Sequence, residues 1–472
     1  MNQETGLSFR QRLAILFFIL AVSSAAAGAL GQQDSSDEVI DPGPRIGGVG
    51  AGGFLMGLTD AQQAQANDGA MRFVEPETFT GGLGPFYNSG TQRACGGCHA
   101  QPNVGGSSPS ASAYPYIGPN PQATVDYNAY SATNVIPPFI SADGPVREMR
   151  LVYFHKPNGN LNLNAPDGGV HDLYNVTGRT DNTTCTLPQP NFAQELAQGN
   201  AIFRIPTPVF GAGLIENIDD GTILANQAAS QAAAAAAGIP IAGQVNRNGN
   251  DGTISRFGWK AQNKSLLIFA GEAYNVEDGV TNELFPTQRP TPGTTLPPGC
   301  LVNATPEDRS NPESAGVAVN SDVTAFAAFM RMLAPPTPAA PTAQTLAGQQ
   351  TFSNIGCALC HTPTMTTAQS TEAAALSGVP ANLYSDLLIH NMGDKLADGV
   401  SQGGANGQQF RSAPLWGVGQ RVFFLHDGRT SDLAEAIRQH KSHGSEANQV
   451  IDNFENLSHR DKKNLLLFLR SL

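Results

Sequence analysis

The stretches RACGGCHAQP and FSNIGCALCHTP constrain this chain more than any other part of it. Cys95, Cys98 and His99 in the first, and Cys357, Cys360 and His361 in the second, repeat one C-x-x-C-H pattern and use four of the six cysteines. With Cys at i and i+3 and His at i+4, the three side chains fall on one face of a single helical turn. Two thiols so placed can form thioethers with the vinyl groups of one haem while the adjacent imidazole reaches the iron. Zinc ligation by two Cys pairs wants them closer in sequence. A thioredoxin-type dithiol wants a βαβ context that this chain lacks. The expectation is two covalently bound haem c groups, with Cys95, Cys98, Cys357 and Cys360 holding the porphyrins and His99 and His361 holding the irons.

A chain of 472 residues is long enough for two domains that each bury a core. Residues 1–27 read as a secretory signal peptide: Arg10 and Arg12, an apolar run from Leu13 to Val22 too short to span a bilayer, then small residues. This implies a periplasmic or otherwise exported protein with no membrane span in the mature chain, a setting in which Cys185 and Cys300 can pair, although sequence does not fix their separation. Residues 28–45 read as a linker. The order helix, C-x-x-C-H, long loop, amphipathic helix then occurs twice, in 46–336 and 345–472, divided by the proline-rich APPTPAAPTAQ. The closing helix of the first unit carries Val323, Phe326, Phe329, Met330 and Leu333 on one stripe and stops at Pro335 and Pro336. That of the second starts at Ser458 and carries Leu465, Phe468, Leu469 and Leu472. The run NQAASQAAAAAAG fits either a helix or a tolerated insertion. The fold class expected is mainly α, two cytochrome-c-like haem domains, the first enlarged by long loops and short strands such as REMRLVYF. A formal charge of −12 argues against nucleic acid as a partner and suits a small basic redox protein, but it is also ordinary for an exported protein.

An iron with two strong protein ligands shuttles electrons, whereas an open or displaceable sixth position admits peroxide or oxygen. Beyond the two motifs the histidines are His155, His171, His390, His426, His440, His443 and His459. His459 falls in the first turn of the last helix and reads as solvated. Leu433, Ala436, Ile437 and His440 share one helical face, which makes His440 either a satisfied polar residue or a haem ligand. In LHDGR, His426, Asp427 and Arg429 read as shaping the second haem pocket, with Arg429 a candidate partner for a haem propionate. Met56 and Met71 read as core.

Several segments, GGLGPFYNSG, CGGCHAQPNVGG, DGGVHDLYNVTGRTDN, RFGWKAQ, DLLIHNMGDKLADG, APLWGVGQRVFFLHDGRTSDLAEAI and LLLFLRSL, taken together resemble one family. It is the di-haem c-type oxidoreductases, called peroxidases or thiol oxidoreductases, and the resemblance runs from about residue 45 to the end. This family is distantly similar to the bacterial di-haem cytochrome c peroxidases and to the di-haem enzyme that matures the methylamine dehydrogenase cofactor. In those peroxidases an H-x-G segment and the helix after it carry a methionine ligand to the C-terminal haem. The matching HDGRTSDLAEAIRQH places His440 there, which implies two imidazoles on the iron and a lower potential. For the N-terminal haem the resemblance implies a peroxidatic site with a weak or displaceable distal ligand. His171 is the first candidate for that ligand or for a distal acid–base group, and His155 the next. Glu216 and Glu148 are candidates for a distal carboxylate, with capping or ion pairing as the bland alternatives. A tryptophan relays electrons between the haems in the related enzymes, and Trp259 and Trp416 are the two available. The implied activity is reduction of hydrogen peroxide with electrons from a small redox protein or other donor. A di-haem electron carrier with both irons closed, and an oxidase of a large or protein-borne substrate, are the alternatives. A bridging calcium has no supporting motif.

Overall fold

Each C-x-x-C-H motif follows a helix whose apolar face is closed by a second helix far away in sequence. The computed structural model describes residues 38–45, 50–78, 81–85, 93–109, 119–124, 135–166, 189–288, 299–300 and 321–472. Asp41–Leu472 form one unit and Met1–Ile40 another. The helices described are α1 (Asp60–Phe73), α2 (Cys95–Cys98), α3 (Phe192–Ala197), α4 (Ala212–Glu216), α5 (Asp220–Ala237), α6 (Leu266–Glu277), α7 (Asp322–Met332), α8 (Ala343–Asn354), α9 (Gly393–Leu396), α10 (Leu433–Arg438), α11 (Asn448–Glu455) and α12 (His459–Ser471). The strands are short and pair antiparallel, two by two: β1 (Glu148–Leu151) with β4 (Ala201–Arg204), β2 (Tyr153–His155) with β3 (Leu161–Pro166), β5 (Asn246–Arg247) with β6 (Ile254–Ser255), β7 (Met365–Thr366) with β8 (Pro380–Ala381), and β9 (Ile389–Asn391) with β10 (Gln409–Arg411). The fold is mainly α. The signal peptide, His171 and Cys185 lie outside the described residues, and Cys300 is disulfide-bonded. No described helix is long and apolar enough to cross a membrane.

The same device builds both helix pairs. In α1, a Cβ added at Gly69 would stand 2.1 Å from the Ala325 carbonyl oxygen of α7, and Phe73 sets its ring against Phe326 and Phe329 at 6.0 and 5.0 Å. In α8, a Cβ at Gly348 would stand 2.0 Å from the Asn464 carbonyl oxygen of α12, and Phe352 meets Phe468 at 5.6 Å. One Gly-x-x-x-Phe spacing therefore puts a glycine at each crossing and an aromatic ring one turn nearer the motif. Gly348→Ala is expected to cost about 1–3 kcal/mol by overpacking, read as a shift in the urea midpoint of the holoprotein. An unchanged midpoint would mean that the helices separate freely.

Caps fix where these helices start. Thr59 and Gln62 form a capping box on α1, Thr342 and Thr345 one on α8, and Ser321 and Ser458 accept from Thr324 N and Asp461 N on α7 and α12. Buried Asp322 pairs with Arg72 and, with Glu77, accepts from Tyr274 at 3.2 and 2.8 Å, tying α1, α6 and α7 together. The stripe expected in α7 is buried, as is that in α12. The alanine run is helix α5, opened by Asp219 and closed by Gly238 at φ +68°. Met56 and Met71 correct the sequence reading: they are 93% and 64% exposed, because α1 turns Ala66, Gly69 and Phe73 inward instead.

Candidate functional site

The two motifs are built alike. Cys95–Cys98 is one helical turn closed by His99 N donating to Cys95 O at 2.9 Å; Cys357–Leu359 is a tighter turn closed by His361 N donating to Cys357 O at 2.9 Å. His99 Nδ1 is bonded to Gly106 O at 3.1 Å and His361 Nδ1 to Tyr384 O at 2.9 Å. A carbonyl acceptor on Nδ1 assigns the proton to that nitrogen, the tautomer of a metal ligand that binds through Nε2. Burial lowers both rings to about 4, so they are neutral at physiological pH. Phe73 meets His99 edge-on at 6.0 Å, and Phe352 meets His361 at a tilt at 6.4 Å. None of the four motif cysteines is in a disulfide, and burial raises each, Cys357 to about 12.

The His361 cavity opens to solvent and is lined by apolar side chains that include residues of α8, α10, α11 and α12. His440 stands just past α10 and lines it together with Leu433, Ala436 and Ile437. His440 Nδ1 is bonded to Ala436 O at 2.8 Å, so its proton is assigned there too, and burial keeps the ring neutral. His390 lines the same cavity with both nitrogens occupied, by Asp386 and Glu446 at 2.9 Å each. Burial opposes charge there, yet with a carboxylate on each nitrogen His390 is raised well above its ordinary value, and a protonated ring is no ligand. His426 stacks on Phe410 at 4.4 Å. His440 thus shares with His361 an Nδ1 tied to a backbone carbonyl, whereas both His390 nitrogens face carboxylates. Arg429 lies outside the cavity lining, its Nε held by Asp427 at 2.8 and 3.0 Å and a terminal nitrogen by Lys395 O at 2.7 Å.

The His99 cavity also opens to solvent and differs in chemistry. Among its described lining residues there is no second imidazole; instead Glu148, Arg150, Arg204, Gln262, Tyr274, Glu277 and Asp278 face it. Glu277, the last residue of α6, is raised to about 8 by burial and by Asp278, with Arg150 pulling the other way. It is therefore a carboxylic acid at neutral pH. Nothing in GEAYNVEDG singles it out from Glu272 or Asp278. Glu148 is brought to the cavity as expected, beside Arg150 at 3.4 Å. Glu216 is not: its carboxylate accepts from Arg331 Nε at 2.6 Å and Leu266 N at 2.7 Å, clamping α4 to α6 and α7. His155 also lies outside the lining, bonded to Glu195 at 2.7 Å and Gly159 O at 2.9 Å.

Between the cavities stands Trp259, which lines both, while Trp416 lines neither. The RFGWKAQ loop makes this possible with Gly258 at φ +82° and Ala261 at φ +50°. Trp259 Nε1 donates to Ile205 O at 2.9 Å, and its backbone oxygen accepts from Arg411 N at 2.8 Å. The next residue, Lys260, is fully buried and pairs with Asp398 at 3.1 Å, as does Arg204.

Two cavities are each walled by a C-x-x-C-H turn with a neutral, Nδ1-protonated histidine. The family model described as "Di-haem oxidoreductase, putative peroxidase" matches residues 154–472, more than half of the chain, and the chain belongs to that family. Haem is the cofactor that the family implies. Among solved structures the chain is similar to the diheme peroxidase BthA from Burkholderia thailandensis, at 15% identity over 50% of this chain and 76% of that one, with a TM-score of 0.29. It is also similar to the hydrazine synthase of Kuenenia stuttgartiensis, at 15% identity over 34% of this chain and 59% of that one, with a TM-score of 0.22. No curated protein matches it.

Proposed function

We propose that the protein is an exported di-haem peroxidase of two cytochrome-c-like halves, reducing hydrogen peroxide with electrons from a small redox protein or other donor. The donor sets fit the cofactor: Cys95, Cys98 and His99 would hold one haem c, and Cys357, Cys360, His361 and His440 the other. The observation that carries the reading is the asymmetry of the cavities. His440 offers a second nitrogen beside His361, whereas the described lining of the His99 cavity offers a carboxylic acid, Glu277. A doubly ligated centre passes electrons and an open one binds peroxide. The bound haems supply the one-electron steps. Glu277 holds the proton that the departing peroxide oxygen needs, Glu148 and Arg150 surround it with fixed charge, and Trp259 bridges the two cavities as the electron relay. Residues 1–27 support export. The test is turnover by purified protein loaded with both haems and supplied with a reduced donor. The expected result is two donor electrons consumed per peroxide. Fully loaded protein that takes up electrons yet leaves peroxide untouched would contradict the reading and favour an electron carrier.

A further inference from the structure

Buried arginines in this fold are as a rule answered by a carboxylate: Arg204 by Asp398, Arg256 by Asp220, Arg470 by Asp41. Arg411, at the end of β10, and Arg421, just past the Val418–Gln420 turn, break the rule. Each is 9% exposed, and neither has a carboxylate partner among the described residues. Among the described residues, Arg411 Nε and Arg421 Nε and Nη2 have no hydrogen-bond partner. Burial lowers both guanidiniums to about 10, which leaves them charged at neutral pH. An unpaired charge removed from water is strongly unfavourable, so each marks a missing anion. Both line the His361 cavity, and a smaller cleft that they share with Trp259. Arg421 lies over the Trp259 ring at 5.7 Å.

We propose that Arg411 and Arg421 form a buried anion site that receives the carboxylate side chains of the haem held at His361, beside Trp259. Planar guanidinium forks suit carboxylates bidentately. The site rests on the reading that a haem fills this cavity. It replaces Arg429, which Asp427 already holds. Paired in this way, the haem carboxylates stay ionised over the whole working pH range, and the two cations hold up the potential of that haem.

The test is spectroelectrochemical titration of each haem in the purified holoprotein from pH 5 to 9. In R411Q, R421Q and the double variant, the potential of the His361 haem is expected to fall. It should also become pH-dependent, approaching one proton per electron, as an unpaired carboxylate titrates within the range. R411K/R421K, which keeps the charge, is expected to restore most of the potential, and R429Q to leave it unchanged. Wild-type pH dependence in the double Gln variant with both haems retained, or a change confined to the His99 haem, would overturn the site. Wild-type protein with fewer than two haems per chain would instead sink the functional reading beneath it.

Discussion

Glu277→Gln is expected to lower kcat/KM for hydrogen peroxide by about 10²–10⁴-fold, the usual worth of a placed general acid, with both haems retained. Burial and Asp278 hold Glu277 at about 8, so at neutral pH it carries the proton that a departing oxygen must receive. Because its value in the folded protein is raised above the ordinary carboxylate range, the acid form is present below about pH 8 and is lost as pH rises through that value. The activity of the natural protein should fall along the same limb. In E277Q that limb should vanish, and the residual rate should be flat across it. A variant that keeps full activity and the same pH profile would remove Glu277 from the chemistry and move attention to Glu148 or to His171.

Asp398→Asn is expected to cost about 3–5 kcal/mol of stability, measured by urea unfolding of the holoprotein, since it strands two buried cations at once. Asp398 is 3% exposed, Arg204 2% and Lys260 0%. Lys260 Nζ also donates to Asn406 O at 2.8 Å and Gln409 O at 2.9 Å, acceptors that carry no full charge to offset its own. Burial has already lowered Lys260 to about 7, against the pull of Asp398. For a lysine lowered on folding, the burial penalty applies below its folded value and is relieved above it. The Lys260 share of the loss should therefore be largest below about pH 7 and fade above it, leaving the Arg204 share. A loss under about 1 kcal/mol at every pH would show that water reaches the cluster.

What could be read ahead of the fold was whatever one segment decides by itself. The C-x-x-C-H turns, the Ser458 cap and the apolar stripes of α7 and α12 depend on near neighbours, and each lies as the residues implied; His440 lies just past the end of α10 rather than on it. The shared Gly-x-x-x-Phe spacing ahead of both motifs, Gly69 with Phe73 and Gly348 with Phe352, was equally present in the sequence and is the signal that went unused. Glu277, Trp259, Arg411 and Arg421 were not legible in this way. Their roles come from what the tertiary fold sets against them: Arg150 and Asp278 around the acid, two cavities on either side of the indole, and no carboxylate beside the guanidiniums. Glu216 and Arg429 failed for the converse reason. Each looked available in its own segment, and distant Arg331 and Leu266 for the one, adjacent Asp427 and distant Lys395 for the other, had already taken them.

The central claim is that the two centres differ, one closed by His361 and His440 and one open beside His99. Electron paramagnetic resonance of the purified holoprotein, fully oxidised and again after addition of one electron per molecule, tests it directly. The account predicts a low-spin ferric signal that H440A converts to high-spin, together with a separate high-spin ferric signal, in at least one of the two states, that H440A leaves in place. Low-spin signals alone in both states of the natural protein would mean that both irons are closed, and the peroxidase reading would give way to electron transfer.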